Sequence, residues 1–509
     1  MWEVSLLASR LEGIAEEMGR LLAHSAFSPN IRDRLDFSCA LFGPSGELLA
    51  QAAHIPVHLG SLPELVSRIA ALPQRKGDTW MANDPYVGGT HLPDITLVQP
   101  LCQQGQLLGF AAARAHHSDV GGMTPGSMPN SSEVVQEGLR IPPVRLWKAG
   151  RLDRDLWQLL LANVRTPLER EGDLRAQRAA CQLGTERLAE VALSPIWPLR
   201  QQLLEAGQRQ MQSLLRAIPS GEVEETLELD WGEQRIPLTL RLSVQPDEIH
   251  FDYRGCPPAL AAPLNCTRAI TCAASYFPLF CLLHESGPLL LNQGSLQVIR
   301  VSTRPGTVVD ATAPYPVCAG NVETSQRLCD LVWLALGRLL PQRLPGLSAA
   351  TMNNLTLGNA RLDPPFSYYE TCGGGHGGGP RGPGVDGQQV AMTNTRNTPA
   401  EIMETYFPLR LWRYALRPQS GGIGMHSGGR GILREIEVLE DCQATLLASL
   451  RQWGPRGREG GGTGEPGRDR WIDNEGQEFP ITPPWSGALA KGSRLIVETP
   501  GGGGWGLPS

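Results

Sequence analysis

The chain has 509 residues, of which 41% are hydrophobic and 19% charged, and its net charge is −6. This balance describes a folded protein of roughly two to four domains, and the acidic charge gives no footprint for nucleic acid or anionic lipid. No apolar run approaches the roughly 20 residues of a membrane span, and Met1–Val4 carries an acid where a signal peptide has lysines. We therefore expect a cytoplasmic protein with no nucleic-acid or membrane partner.

Cysteine and glycine are distributed unevenly in function and in place. The 11 cysteines occur singly between Cys39 and Cys442, without a CxxC pair, which is typical of reduced thiols in a cytosolic protein. The 58 glycines are concentrated in blocks, and such density favours long loops. These loops lie on the surface or pack closely against a partner chain or ligand; the blocks are 373–384, 421–431, 454–467 and 501–504.

The first part of the chain predicts helices around a β-hairpin. Apolar residues at helical spacing predict helices from Trp2 to about His24 and over Leu62–Leu72. Two apolar runs, Phe37–Phe42 and Glu47–Ala52, flank the turn-forming segment Gly43–Gly46. This arrangement predicts two antiparallel strands joined by a tight connection.

The middle of the chain changes periodicity several times. Strands and loops are predicted from Asp78 to about Val144, followed by helices from about Asp153 to Ile218. Alternation over Thr226–Tyr253 predicts two or three half-buried antiparallel strands. Further helices are predicted at Ala269–Glu285 and Thr324–Leu340, on either side of a strand near Leu296–Val301.

After about Leu355 helices nearly vanish, and short strands such as Leu433–Leu439 alternate with glycine-rich loops. Helices segregated from antiparallel sheets predict an α+β, multi-domain fold. The predicted regions are an N-terminal α/β region with a metal-binding hairpin (1–150), a helical segment (151–220), an α+β domain (221–350) and a glycine-rich, mainly β region (351–509).

The segment between His91 and His117 carries the residues with most chemical potential. Apolar runs Ile95–Leu101 and Leu107–Ala113 flank Cys102–Gln106 and predict a hairpin. If the turn centres near Gln104, Asp94 lies across from about Arg114, and His91 across from about His117. His91 and His116 can then converge beside Asp94.

Two imidazoles and a carboxylate suit Zn, Mn or Fe, with positions left open for water or substrate. We therefore predict His91, Asp94 and His116 as ligands of a divalent metal ion. The alternative is that these are ordinary polar residues at strand ends. His54 and His58 form a weaker pair, and Pro56 between them opposes a helical ligand pair, so we assign both to structure.

Nucleotide and nucleophile motifs are missing from the sequence. Glycine-rich stretches match GxGxxG, but none sits clearly between a strand and a helix. Neither a GxxxxGK[ST] loop nor a GxSxG elbow occurs. The chain therefore shows no phosphate cradle of its own.

The sequence resembles the hydantoinase B/oxoprolinase family over almost its whole length. The matching blocks, in chain order, are Asp36–Ser38, His54–Gly60, Asn83–Asp94, His116–Gly126, Glu137–Pro143, Asn163–Arg165, Asp173–Gln177, Gly320–Gln326, Thr393–Pro399 with Glu401, and Pro500–Gly504. One block departs from the family: relatives have an aromatic-Arg-Gly-Gly run where this chain has Met425–Gly429. An anionic contact expected from that arginine is therefore in doubt, and Arg430 is a substitute for it.

The resemblance implies a division of labour. A hydantoinase A-type partner subunit would bind ATP and phosphorylate the amide or enol oxygen of a small cyclic amide, such as 5-oxoproline or a hydantoin. This chain would complete the hydrolysis at a metal site, within a hetero-oligomer. In similar acetone carboxylases a His-x-x-Asp and a downstream histidine hold the metal, which maps onto His91, Asp94 and His116.

His117 and Asp119 are candidates for a catalytic base or for orienting the metal ligands, because metal-bound imidazoles usually need a carboxylate partner. Two other functions stay open. The chain could belong to an ATP-dependent ketone carboxylase, whose ATP turnover would need bicarbonate. It could also be a non-catalytic scaffold subunit, which would bind no metal.

Overall fold

The computed structural model describes residues 2–52, 55–285 and 287–508. These residues form an α+β protein with four mostly antiparallel sheets, as the sequence predicts. None of the helices in the described ranges combines the length and hydropathy needed to cross a bilayer.

The first sheet has seven strands in the order β2-β1-β5-β4-β3-β6-β7. The predicted N-terminal helix, the first hairpin and the hairpin after His91 are all confirmed. The helices are α1 (Trp2–Ser25), α2 (Pro29–Arg32) and α3 (Ser61–Ala70); the strands are β1 (Phe37–Phe42), β2 (Leu48–Gln51), β3 (Thr79–Ala82), β4 (Asp94–Gln103), β5 (Gln106–His116), β6 (Val144–Lys148) and β7 (Arg151–Leu152).

Three helices follow the first sheet: α4 (Arg154–Ala162), α5 (Pro167–Ala192) and α6 (Arg200–Ala217). Helix α5 packs against α1 and against β4 and β5, so one hydrophobic core joins residues from Leu7 to Leu204. A second apolar cluster, with Leu62 and Leu65 of α3, covers the opposite face of the sheet. Strand β5 is therefore buried on both faces, and its alternate side chains point towards α5 or towards α3.

The middle of the chain forms a four-stranded sheet in the order β11-β10-β9-β8. Its strands are β8 (Gly221–Trp231), β9 (Gln234–Val244), β10 (Ile249–Asp252) and β11 (Ile299–Ser302), and its helices are α7 (Arg268–His284), α8 (Gln293–Gln297) and α9 (Ser325–Leu339). A π-helical turn, Gly320–Thr324, leads into α9. Such turns occur often at functional sites.

The last third contains two sheets, in the orders β13-β12-β16-β19 and β14-β15-β20-β17-β18, and one further helix, α10 (Ala400–Tyr406). The strands are β12 (Asn354–Asn359), β13 (Phe366–Glu370), β14 (Leu409–Leu416), β15 (Ile432–Val438), β16 (Cys442–Leu447), β17 (Arg468–Ile472), β18 (Glu478–Ile481), β19 (Trp485–Leu489) and β20 (Arg494–Glu498).

The glycine-rich blocks pack against one another. Gly502 donates its N–H to the carbonyl of Gly429, Gly422 donates to Gly502, and Gly504 donates to Gly462. A Cβ atom at Gly502 would collide with the carbonyl oxygen of His376. The blocks therefore form a bundle in which backbones approach more closely than side chains allow.

Candidate functional site

The β4–β5 hairpin positions the predicted ligands, in a register that differs from the predicted one. Asp94 pairs with His116, and Thr96 pairs with Arg114. The turn residues are Gln104 and Gly105, both with positive φ, and a bulge lies between Leu101 and Cys102. The turn centre shifts the predicted pairing by one residue, and the bulge shifts it by another. The register prediction was therefore wrong by two residues, yet it placed the right strand ends together.

His91, Asp94 and His116 converge in a buried cluster. His91 Nε2 lies 3.3 Å from Asp94 Oδ2, and the rings of His91 and His116 have centroids 4.9 Å apart. None of the three side chains is more than 3% exposed. The predicted convergence of two imidazoles beside a carboxylate is therefore present in the structure.

His58 also belongs to this cluster, although the sequence analysis assigned it to structure alone. Its Nε2 lies 3.3 Å from Asp94 Oδ2, and its Nδ1 lies 2.8 Å from the hydroxyl of Ser38. Thr90 donates a short hydrogen bond to the same Asp94 oxygen. His58 and Thr90 thus hold Oδ2 and leave Oδ1 free. His54 lies outside the described residues.

Asp36 is the second residue that the sequence analysis missed. It precedes β1, whose Phe37 pairs with Ala115, and the N–H of His116 donates to its carbonyl oxygen at 3.0 Å. Its carboxyl lines the cavity of the cluster. The blocks Asp36–Ser38 and His54–Gly60 were visible signals for Asp36 and His58, but only strand pairing shows that they meet the hairpin.

A cavity of about 20 Å³ lies within the cluster. It has room for one water molecule or one ion, which needs about 10–15 Å³. Its walls come from all parts of the fold: Asp36, Ile55, Val57, His58, His91, Asp94, His116, Asn321, Val322, Met352, Tyr369, Thr371, Thr393 and Thr395. The site therefore lies where the first sheet meets the middle and last parts of the chain.

Several polar atoms of the cluster are buried without a hydrogen-bond partner: His91 Nδ1 and Nε2, Asp94 Oδ1, His116 Nε2 and Asn321 Oδ1. The 3.3 Å contact of His91 Nε2 with Asp94 lacks hydrogen-bond geometry. Burying such atoms unpaired costs about 1–3 kcal/mol each. Each of the three predicted ligands thus offers at least one unpartnered donor atom to whatever occupies the cavity.

Burial and charge determine the protonation of the cluster. Burial lowers the pKa of His58 and of His116, so both imidazoles are neutral at pH 7. Burial by itself disfavours a carboxylate, but the imidazoles of His91 and His58 hold the pKa of Asp94 well below its usual range. Burial raises the pKa of Asp36 to about 7, against the attraction of Arg34. Neutral imidazoles beside an ionised carboxylate are the states that bind cations.

His117 and Asp119 do not join the cluster. His117 follows His116 and points to the opposite face of the sheet, where its Nε2 lies 2.9 Å from Gln177 Oε1 of α5. Asp119 accepts hydrogen bonds from Arg165, at 2.8 Å to its side chain and 3.0 Å to its N–H. The alternation of side chains along a strand separates neighbours in sequence, so the structure does not bring these two residues to the site.

The substituted block Met425–Gly429 lies in the glycine bundle. His426 Nδ1 contacts the carbonyl of Gly379 at 2.6 Å, and its ring stacks on Trp505. Arg430 is paired with Asp386 at 2.6 Å, on the surface. Neither His426 nor Arg430 lines the cavity.

A sequence model of the hydantoinase B/oxoprolinase family matches residues 1–508. An uncharacterised protein of Methanocaldococcus jannaschii is 37% identical, over 99% of this chain and 90% of that protein. 5-Oxoprolinase 1 of Arabidopsis thaliana is 35% identical over 99% of this chain, which spans only 42% of that relative's length.

Two solved structures are similar over 99% of the chain. The ATP-dependent caprolactamase of Pseudomonas jessenii has a TM-score of 0.89, is 27% identical and is covered over 90% of its length. A nucleotide-free acetone carboxylase has a TM-score of 0.90 and is covered over 75%, but its 17% identity shows a common fold and no more.

Proposed function

Because the chain belongs to the hydantoinase B/oxoprolinase family, we propose that it is the hydrolytic subunit of an ATP-coupled enzyme that opens a cyclic amide. The relatives named for 5-oxoproline and caprolactam act on rings that share an amide bond. The observation that carries the proposal is the buried cluster of His91, Asp94 and His116, with unpartnered donor atoms around one small cavity.

The donor set fits a divalent metal ion such as Zn, Mn or Fe. His91, Asp94 and His116 would hold the ion, and Asp36 would add a second carboxylate. Within the described ranges, no group of three or more His, Cys, Asp or Glu side chains could hold a metal ion as it stands. Metal binding therefore requires small side-chain rotations, such as one that separates His91 from Asp94. A bound ion would polarise a carbonyl oxygen and lower the pKa of water.

The chain's own residues prepare the site for this chemistry. His58 and Thr90 fix Asp94 through Oδ2, so that Oδ1 stays aimed for binding. Burial of the cluster excludes bulk water, which strengthens each electrostatic contact. A cyclic amide is too large for a cavity of about 20 Å³, so substrate binding requires its walls to move apart. We assign no catalytic role to His117 or Asp119, because each is bonded elsewhere.

We propose that ATP is bound by a separate, hydantoinase A-type subunit in a cytoplasmic hetero-oligomer. This chain has no nucleotide motif, whereas the Arabidopsis relative has more than half of its length beyond the matched part. Phosphorylation of the amide oxygen by the partner would turn a poor electrophile into an imidate with a good leaving group. Water would then add to the carbon, and the ring C–N bond would break with the proton going to nitrogen.

Co-expression with a hydantoinase A-type subunit tests this function. We expect the two chains to co-purify and, with ATP, to open 5-oxoproline, a hydantoin or caprolactam. Asp94→Asn should abolish turnover without separating the subunits. Turnover of ATP that requires bicarbonate would replace the amidase with a carboxylase, and full turnover by Asp94→Asn would reduce this chain to a scaffold.

A further inference from the structure

We infer that Tyr369 is a positioning residue for His116, and this inference rests on the proposed metal site. The rings of His116 and Tyr369 are stacked, with centroids 4.3 Å apart and an interplanar angle of 11°. His116 ends β5 of the first sheet, whereas Tyr369 lies on β13 of another sheet. A residue from the last third of the chain thus covers the face of a candidate ligand.

The Tyr369 ring is itself held on several sides. Its hydroxyl donates to Asn354 Oδ1 at 3.0 Å, and the Arg34 guanidinium lies 5.0 Å from its centroid. Tyr369 is only 4% exposed. A ring held by packing, a cation and a hydrogen bond presents a fixed surface to the imidazole.

Arg34 links this ring to the edge of His116. It is fully buried and donates to Asn30 Oδ1 at 2.5 Å and to the carbonyl of Tyr369 at 2.9 Å. Asn30 Nδ2 in turn lies 2.6 Å from the carbonyl oxygen of His116 and 3.3 Å from its Nδ1. Asn30 therefore holds one ring edge while Tyr369 holds one ring face.

These contacts together restrict rotation of the His116 side chain, so Nε2 remains aimed into the cavity. Residues that orient a metal ligand commonly change metal affinity by about 10- to 100-fold when they are altered. An aromatic side chain that merely filled the core would affect stability but would have no selective effect on metal binding.

Titration with Co²⁺, followed by its visible absorption, tests this role in the full-length chain. We expect Tyr369→Leu to weaken Co²⁺ binding by about 10- to 100-fold, and Tyr369→Phe, which keeps the stack, to bind like wild type. Tyr368→Leu is the matched control, because Tyr368 is a neighbouring buried tyrosine on β13 that packs against Phe407. If Tyr369→Leu does not fold, Tyr369→Met removes the flat ring while filling its volume.

Unchanged affinity in the Tyr369→Leu or Tyr369→Met variant would overturn the inference and leave the proposed site intact. Equal weakening in the Tyr368→Leu control would also overturn it, since general loosening would explain both. A wild-type chain that takes up no Co²⁺ would overturn the metal site as well. The failure of the proposed function is thereby distinguished from the failure of the positioning role.

Discussion

Asp94 and His116 are directly paired across the β4–β5 hairpin. Directly opposed residues of antiparallel strands point to the same face of the sheet. On that face Arg114 donates a hydrogen bond to the hydroxyl of Ser61, at the start of α3. The cluster therefore lies on the α3 side of the first sheet, away from α5, and the pairing brings a carboxylate beside an imidazole.

Loss of either paired residue should reduce metal binding. We expect His116→Ala and Asp94→Asn to lower the metal content in elemental analysis and to abolish partner-assisted turnover, because each removes an unpartnered donor atom from the cavity. Circular dichroism should stay near wild type. His117→Ala is the matched control, since its ring faces Gln177 and its metal content should persist. Full metal content and near-normal turnover in both cluster variants would rule out the site.

His58 provides a separate test of how Asp94 is held. We expect His58→Ala to weaken metal binding about 10- to 100-fold without abolishing it, because it removes an orienting contact to Oδ2 and not a ligand. Competition with a chelating dye would measure the change. Complete loss of metal would make His58 a ligand, and no change would return it to the structural role that the sequence suggested.

The isolated chain should neither bind ATP tightly nor hydrolyse it, because no phosphate-binding motif occurs in the sequence. Isothermal titration calorimetry with ATP and Mg²⁺ would measure this, with the partner subunit as the positive control. Micromolar ATP binding by this chain alone would contradict the two-subunit proposal.

The glycine bundle should tolerate no side chain at its closest contacts. We expect Gly502→Ala to lower the free energy of unfolding by about 1–3 kcal/mol or more, because its Cβ would collide with the carbonyl of His376. Gly13→Ala is the control: Gly13 lies in α1 with open space around it, and alanine favours a helix by about 1 kcal/mol. Denaturant titration measures both variants. Equal stability of Gly502→Ala and wild type would mean that the bundle is loosely packed.

Glu137 should make stability depend on pH. Burial raises its pKa to about 7, although the N–H groups of Val317 and Cys318 partly oppose this. A raised carboxyl pKa favours the folded protein below the unfolded value of 4.5, and the advantage is lost as pH rises towards 7. Glu137→Gln should therefore gain up to about 3 kcal/mol over wild type between pH 4.5 and 7.

Melting temperatures of wild type and Glu137→Gln, measured from pH 4 to 8, would show this divergence. Glu133→Gln is a suitable control, because Glu133 is exposed and lies in the same segment. Parallel curves for wild type and Glu137→Gln would contradict the raised pKa.

Local patterns in the sequence were enough to predict the secondary structure and the central hairpin. The alternation of apolar residues and the turn at Gln104–Gly105 depend on neighbours in the chain, so the ends of β4 and β5 could be placed together. The motif blocks also indicated the family, which the comparisons confirm. His91, Asp94 and His116 follow from this local information.

Only the tertiary structure decided which other residues reach the cluster. Asp36 arrives through the pairing of β1 with β5, and Tyr369 arrives from a different sheet. The face of the sheet on which His117 lies depends on where α5 packs. Likewise, the glycine blocks become a bundle only when distant backbones meet. Sequence periodicity describes a residue's surroundings within one element, whereas these contacts arise from the packing of elements that are far apart in the chain.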